Sequence, residues 1–227
     1  KGLGSAANHE LSKFLMHIGG QTKTRAEREL SVQLAHSLTP QDVVWVAKKA
    51  GHSEPVLLKI AFPTYTIPRK GQEIPEVPLV MAVAYQESRF SPDALSSAGA
   101  MGLLQLISST AAHEAKRLGI SHRDNKLFDP QHNLVLGSAH LSRLLNNFMG
   151  SYILVCAVYN AGPTPVKRWL KEIGDPRGGK IDIIDWIEMI PYYETRNYVM
   201  RVLENVTNYR AALHPSPKKS LVDDLRR

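Results

Sequence analysis

The sequence predicts a mainly α-helical protein with at most a small β-sheet. Apolar residues recur at helical spacing through most of the chain, for example over residues 134–148, where leucines and a phenylalanine return every three or four positions. Two helix-start signals, Thr39-Pro40 and Asp129-Pro130, place a capping side chain directly before a proline. Evidence for a strand is thin and confined to residues 180–183, where isoleucines alternate with polar residues.

The helical pattern starts near the amino terminus and continues to residue 212. Residues 8–50 contain several short helical segments, which are interrupted at Gly19-Gly20 and at Thr39-Pro40. After an apolar segment that ends at Glu87, the spacing of apolar residues predicts helices over residues 109–118, 130–148, 151–159, 164–173, 182–190 and 193–212.

Proline and glycine cluster between residues 55 and 78, which indicates a domain boundary in this zone. We therefore divide the chain into a helical region over residues 1–64, a main domain over residues 65–213 and a basic tail over residues 214–227. The tail is polar and is expected to be loosely held.

Composition restricts the class of protein. The chain has 227 residues, a hydrophobic fraction of 43% and a net charge of +7, so a globular core and an acidic partner are expected. Nucleic acid, anionic lipid and an acidic polymer all meet that description. A single cysteine, Cys156, excludes an internal disulfide. The longest apolar run, residues 152–159, is far shorter than the roughly 20 residues that span a bilayer.

No metal or cofactor is predicted. The nine histidines show no paired spacing typical of metal ligands. Residues 174–180 match the beginning of a phosphate-binding loop, but Ile181 stands where serine or threonine would have to reach magnesium. The chain starts at Lys1, and we expect it to be a processed or truncated piece whose export signal lies upstream.

Glu87 is the strongest catalytic candidate in the sequence itself. If residues 79–87 are helical, Glu87 lies on the same face as Val80, Val83 and Ala84. An ionised carboxylate on an apolar face is costly, so its pKa should rise and the group should keep its proton near neutral pH. That is the requirement for a general acid. An ordinary surface glutamate at a helix end is the alternative interpretation.

Four segments resemble, in order, the motifs of the soluble lytic transglycosylases. They are Gln86-Glu87-Ser88, Gly99-Ala100-Met101-Gly102-Leu103-Leu104-Gln105, Ala157-Val158-Tyr159-Asn160-Ala161-Gly162-Pro163, and Ile187-Glu188-Met189-Ile190-Pro191 followed by Glu194-Thr195-Arg196. The resemblance covers roughly residues 65–212. It implies a lysozyme-like (goose-type) catalytic domain, preceded by what remains of a helical linker region over residues 1–64.

The resemblance also implies a reaction. These enzymes cleave peptidoglycan between N-acetylmuramic acid and N-acetylglucosamine and leave 1,6-anhydro ends. One glutamate serves first as acid and then as base, and Glu87 occupies its position. Consistent with a lone acid, no Asp or Glu lies between Asp93 and Glu114, and Asp93 beside Pro92 is better explained as a turn residue.

Substrate-binding roles follow from the resemblance alone. Ser96 would bind an N-acetyl group, Gln105 would line the sugar cleft, and Gly102 would let the backbone approach the glycan. Tyr159 would lie near the catalytic glutamate, with Asn160 shaping the same turn. Glu188 would contact the peptide stem, whereas Glu194 and Arg196 are expected to form a structural ion pair or hydrogen bond. Leu104 and Ile107 replace methionines that are more common in the family.

The sequence thus predicts a monomeric periplasmic enzyme that acts on peptidoglycan glycan strands and binds no nucleic acid. Three alternatives stay open. They are a hydrolase on the same fold, a non-catalytic peptidoglycan-binding module, and a basic helical nucleic-acid binder. Of the three, the nucleic-acid binder has the least support.

Overall fold

A computed structural model describes residues 5–51, 60–214 and 220–225, with side chains from residue 8 onward. Within these ranges the protein is built of helices and the loops between them. The α-helices are α1 (Ser5–Gly19), α2 (Arg25–Ala35), α3 (Pro40–Ala50), α4 (Val77–Ser88), α5 (Ser108–Leu118), α6 (Pro130–Asn147), α7 (Tyr152–Ala161), α8 (Pro163–Glu172), α9 (Ile183–Glu188), α10 (Tyr193–Leu213) and α11 (Leu221–Leu225). Short 3₁₀ helices span Asp124–Phe128 and Pro176–Gly178.

Helices α1, α2 and α3 pack against one another at the start of the chain. The start of α3 is the predicted one: Thr39 accepts a hydrogen bond from the backbone of Asp42, the Asp42 carboxylate accepts one in return, and Pro40 is the first helical residue. Thr24 and Glu27 form the same reciprocal cap at α2. Local sequence thus fixes where both helices begin, and the start at Thr39 is the one that the pattern predicts.

Helix α4 forms the centre of the second part of the fold. Residues 78–84 are all buried, and the long helix α10 packs along both α4 and the apolar helix α7. Helix α4 ends abruptly, because Arg89 and Phe90 both adopt left-handed backbone conformations. Glu87 therefore lies in the last turn of a helix that is otherwise enclosed by the core.

The strand that residues 180–183 weakly indicate is absent, whereas the helix predicted over residues 182–190 forms as α9. Asp182 caps helix α9, and its carboxylate accepts hydrogen bonds from the backbone N–H groups of Ile184 and Asp185. Ile183 therefore begins a helix, because the cap outweighs its β-propensity. Across the described residues the only β-type pairings are isolated bridges from Met101 to Leu95 and to Leu106.

Residues 221–225, near the end of the chain, form a helix that packs on the core. Helix α11 inserts Asp224, which is fully buried and paired with the Arg210 guanidinium of α10. Arg210 also pairs with Glu76, and the Tyr152 hydroxyl donates to the Glu76 carboxylate at 2.6 Å. An expectation of a loose tail is incorrect for residues 221–225, because a buried ion pair anchors them to the core.

Helix α7 supplies the most apolar wall of the core. Its residues 152–158 are buried, including Cys156, which is a free thiol. Burial raises the pKa of that thiol well above its ordinary value. No helix in the described parts of the chain is long and apolar enough to cross a membrane.

Candidate active site

Glu87 lies where α4 meets α10. The Tyr198 hydroxyl, from the second turn of α10, donates a hydrogen bond to Glu87 Oε1 at 2.7 Å. Next to it, the Ser88 hydroxyl donates to the Leu103 carbonyl oxygen at 2.8 Å. The end of the helix is thereby connected both to α10 and to the loop that follows α4.

The pKa of Glu87 is raised from 4.5 to about 7. Burial is the main cause, because it penalises the charged form. The hydrogen bond from Tyr198 acts in the opposite direction, and the negative charge of Glu194 raises the pKa further. The expectation of a raised pKa is confirmed, and Glu87 can hold a proton at neutral pH.

A pocket of about 460 Å³ opens beside this carboxyl group. Helices α4, α7 and α10 all contribute to its lining, which consists of Gln86, Glu87, Asn160, Tyr193, Glu194, Asn197 and Tyr198. The Asn160 side chain is fixed, since its Oδ1 accepts a hydrogen bond from the Thr195 hydroxyl at 2.6 Å. The pocket therefore places one protonatable carboxyl group among amides and phenols, which can bind hydroxyl and acetamido groups.

Gly102 is required by packing in the loop over residues 91–107. Its φ is +72°, and an added Cβ would lie 2.0 Å from the Leu127 carbonyl oxygen. Any other residue here would displace the backbone. The expected approach of a glycan to this glycine stays a prediction, whereas the approach of the protein's own backbone is observed.

Ser96 and Gln105 lie in the same loop and stabilise it. The Ser96 hydroxyl oxygen accepts a hydrogen bond from the Ala100 backbone at 2.9 Å. Gln105 has a positive φ of 45°, and its Nε2 donates to the carbonyl oxygens of Ala94 and Gly102 at 3.1 and 2.9 Å. Their roles in binding substrate stay predictions, and neither lines the pocket beside Glu87.

Asn133 was not singled out from the sequence, although it organises this loop. It is fully buried in α6, and its amide donates to the carbonyl oxygens of Met101 and Leu127, each at 2.9 Å. Its Oδ1 accepts from the Leu104 backbone at 2.9 Å. A buried amide in an otherwise apolar helix face was the available signal, since such a group needs partners.

Tyr159 does not line the pocket itself. Its hydroxyl donates to the Leu104 carbonyl oxygen at 2.7 Å, and its ring packs against His140 with centroids 5.5 Å apart. Burial, with the nearby charge of Glu87, raises the pKa of Tyr159 well above its ordinary value. Tyr159 is thus close to Glu87, as the resemblance implied, but the hydroxyl that contacts the carboxylate is that of Tyr198.

Glu188, at the end of α9, lies outside the pocket beside Glu87, and its contact with a peptide stem stays a prediction. Glu188 is exposed and pairs with Arg196 at 3.5 Å, in an apolar groove formed with Ile184 and Met200. Glu194 instead lines the pocket beside Glu87. The structural ion pair predicted for Arg196 exists, but its partner is Glu188.

The described residues contain no group of three or more His, Cys, Asp or Glu side chains that could hold a metal ion. Residues 174–180 form a turn and a short 3₁₀ helix, in which Arg177 donates to the Asp175 carboxylate. That geometry differs from a strand–loop–helix phosphate site.

The fold and this pocket define a class. The sequence model of the Transglycosylase SLT domain matches residues 67–181, and the chain belongs to that family. It is 36% identical over 165 residues to a soluble lytic murein transglycosylase of Escherichia coli K12, which covers 72% of this chain and 24% of the relative. A putative soluble lytic murein transglycosylase of Haemophilus influenzae is 41% identical over 124 residues, covering 54% of this chain and 20% of the relative.

Solved structures agree. The 70-kDa soluble lytic transglycosylase of Escherichia coli superposes with a TM-score of 0.68 at 30% identity, over 84% of this chain and 31% of that one. An inactive glutamate-to-glutamine mutant of the Pseudomonas aeruginosa transglycosylase Slt superposes with a TM-score of 0.68 at 29% identity, over 90% of this chain and 33% of that one. The mainly helical, lysozyme-like fold is confirmed. The chain spans about a quarter of the length of the curated Escherichia coli relative.

Proposed function

We propose that this chain is a lytic transglycosylase domain that cleaves the β-1,4 bond between N-acetylmuramic acid and N-acetylglucosamine in peptidoglycan. One observation supports it above the others: in a fold of this family, Glu87 lies in an open pocket with a pKa of about 7. The carboxyl group is therefore protonated often enough at neutral pH to act as a general acid.

In the first step, Glu87 donates its proton to the glycosidic oxygen as the bond to C1 of the muramic residue breaks. The carboxylate that forms is partly buried, which is unfavourable by itself. The Tyr198 hydroxyl at 2.7 Å stabilises it as a hydrogen-bond donor. The same group thus positions the acid and supports its conjugate base.

In the second step, the Glu87 carboxylate accepts the proton of the C6 hydroxyl, whose oxygen then bonds to C1. The products are a 1,6-anhydro-muramic end and a new non-reducing end, and no water is consumed. A carboxylate with a pKa near 7 is basic enough to accept this proton and acidic enough to donate the first one.

A hydrolase is the second candidate, and one observation favours it. Glu194 lines the same pocket and is exposed, so a second carboxylate is available to activate water. Asp93 is a weaker candidate for that base, because the Ser91 hydroxyl donates to it at 2.6 Å within the turn. The two reactions differ in their products.

The test is a digest of purified peptidoglycan with this chain, followed by mass spectrometry of the soluble products. Muropeptides that are one water lighter, with non-reducing anhydro ends, are the expected result. Reducing ends would establish the hydrolase, and they should then disappear in Glu194→Gln. A chain that sediments with the polymer and releases nothing would be a binding module.

We further propose that the domain works as a monomer in the periplasm, where its polymer lies. The names of the soluble relatives and the basic charge of the chain support contact with an anionic wall polymer. Size-exclusion chromatography and fractionation of the native host test the two statements separately. A gel-shift assay in low salt tests the nucleic-acid alternative, for which we expect no complex.

A further inference from the structure

Tyr193 presents an exposed aromatic ring at the rim of the pocket. It is the first residue of α10, it is 74% exposed, and it lines the pocket together with Glu87. An aromatic ring of this size in contact with water is an apolar surface that a ligand can cover.

The backbone that carries this ring is held in place. Ile190 is buried, and Arg196 donates to its carbonyl oxygen at 3.2 Å. The Tyr192 ring packs edge-on against Trp169, with centroids 5.1 Å apart. Asn197 then donates to the Tyr193 carbonyl oxygen at 3.1 Å. The backbone at Tyr193 is therefore already ordered, so a ligand that covers the ring loses little binding free energy to ordering the protein.

The rest of the lining is polar and complements such a ring. The pocket contains the amide groups of Gln86, Asn160 and Asn197. An amide can donate hydrogen bonds to hydroxyl and acetamido groups and can also accept hydrogen bonds from them. A hexosamine has hydroxyl groups at its edge and C–H groups on its face. The C–H groups are attracted to the negative face of an aromatic ring.

We infer that Tyr193 is a specificity-determining residue that stacks on the face of an N-acetylhexosamine ring in the strand bound at the Glu87 pocket. The inference rests on the proposed function for the identity of the polymer, although it concerns binding and requires no turnover. In this inference Tyr193 contacts the sugar chain and does not contact the peptide stem.

The test measures binding in the Glu87→Gln background, in which cleavage cannot consume the ligand. Short peptide-free glycan strands and peptide-bearing strands of the same length are titrated by calorimetry. For Tyr193→Ser we expect Kd to rise about 5- to 10-fold on both ligands, since the stacking face is lost. Tyr193→Phe, which keeps the face, should bind within about twofold of the parent.

Met189→Ser is the matched control, because Met189 is also an exposed apolar side chain but does not line this pocket. Its Kd should equal that of the parent. Each of the following results would overturn the inference: unchanged binding by Tyr193→Ser, equal losses in the Phe and Ser variants, an equal loss in Met189→Ser, or a loss confined to peptide-bearing strands.

Failure of the proposed function gives a different pattern. A chain that binds glycan through Tyr193 and yields no anhydro product would overturn that function and retain this inference. If the chain yields anhydro product and Tyr193→Ser binds as tightly as the parent, the proposed function is retained and this inference is overturned. Absence of binding in every variant would overturn the inference whatever the products.

Discussion

Two glutamates that face the interior of this protein behave in opposite ways. Glu114 of α5 is fully buried, and burial alone would raise its pKa, yet hydrogen bonds from His140, Arg143 and Arg117 lower it to about 2. Glu87 is less buried, but one neutral hydroxyl is its hydrogen-bond partner and its pKa rises to about 7. The partners around a buried carboxylate, more than the depth of burial, decide whether it can donate a proton.

The largest expected effect is on the rate of cleavage, which should depend on the carboxyl group of Glu87 and hardly on that of Glu114. Glu87→Gln should lower the rate of peptidoglycan cleavage by at least about 10²–10⁴-fold, because no proton donor remains at the bond that breaks. Glu114→Gln should cleave at nearly the parent rate per folded molecule. The release of muropeptides under saturating substrate measures both, with circular dichroism as the check on folding. Retained turnover in Glu87→Gln would remove Glu87 from the mechanism.

The pH dependence of stability should differ in the same way. The folded-state pKa of Glu87, about 7, lies above its ordinary value of 4.5, so the protein favours the protonated form. The contribution of protonated Glu87 to the free energy of unfolding is complete below pH 4.5 and is lost as the pH rises through 7. Compared with Glu87→Gln, the parent should therefore lose roughly 2–3 kcal/mol of unfolding free energy between pH 4 and pH 8. Urea titrations across this range give the difference, and parallel curves for the two proteins would contradict it.

Glu114→Gln should destabilise the fold by about 2 kcal/mol at pH 7, because Arg143 and Arg117 lose a buried partner but can still reach water. The pKa of Glu114 is depressed, so this contribution is present above about pH 4.5 and is lost as the pH falls through 2. The stability difference between parent and variant should thus shrink in acid, in contrast to that of Glu87. A difference that stayed constant down to pH 2 would show that charge is not its source.

The smallest effect concerns the hydroxyl that contacts Glu87. Because the Tyr198 hydrogen bond lowers the pKa of Glu87, Tyr198→Phe should raise that pKa and move the alkaline limb of the pH–rate profile upward by about one unit or less. Tyr159→Phe is the matched control, since it removes a partly buried hydroxyl that donates to the Leu104 carbonyl oxygen instead. A shift of equal size in both variants would indicate a general loosening of the core.

The parts of this molecule that the sequence predicts are those set by local signals. The cap at Thr39-Pro40 and the helix that begins after Asp129 were found because a few adjacent residues determine them. Glu87 was found because an apolar run and its carboxylate lie on one helix face. Residues 180–183 form no strand for the same kind of reason, since the local cap at Asp182 begins the helix predicted over residues 182–190.

The parts that could not be predicted depend on contacts between distant residues. Tyr198 lies 111 positions from Glu87, and no spacing rule connects them. Glu188 and Glu194 are close neighbours in sequence, yet only the path of the chain into α10 decides which of them lines the pocket. Likewise, Asp224 of α11 is anchored by Arg210 of α10, 14 positions earlier in the chain, and no local pattern connects the two.

The buried thiol of α7 has a practical consequence. Cys156 is the only cysteine in the chain, and both its burial and its raised pKa keep the reactive thiolate from forming in the folded protein. A thiol reagent can therefore label the chain only when α7 separates from its neighbours. The labelling rate in native buffer thus measures how often the core opens, and it can be determined in the unmodified protein and in each variant above.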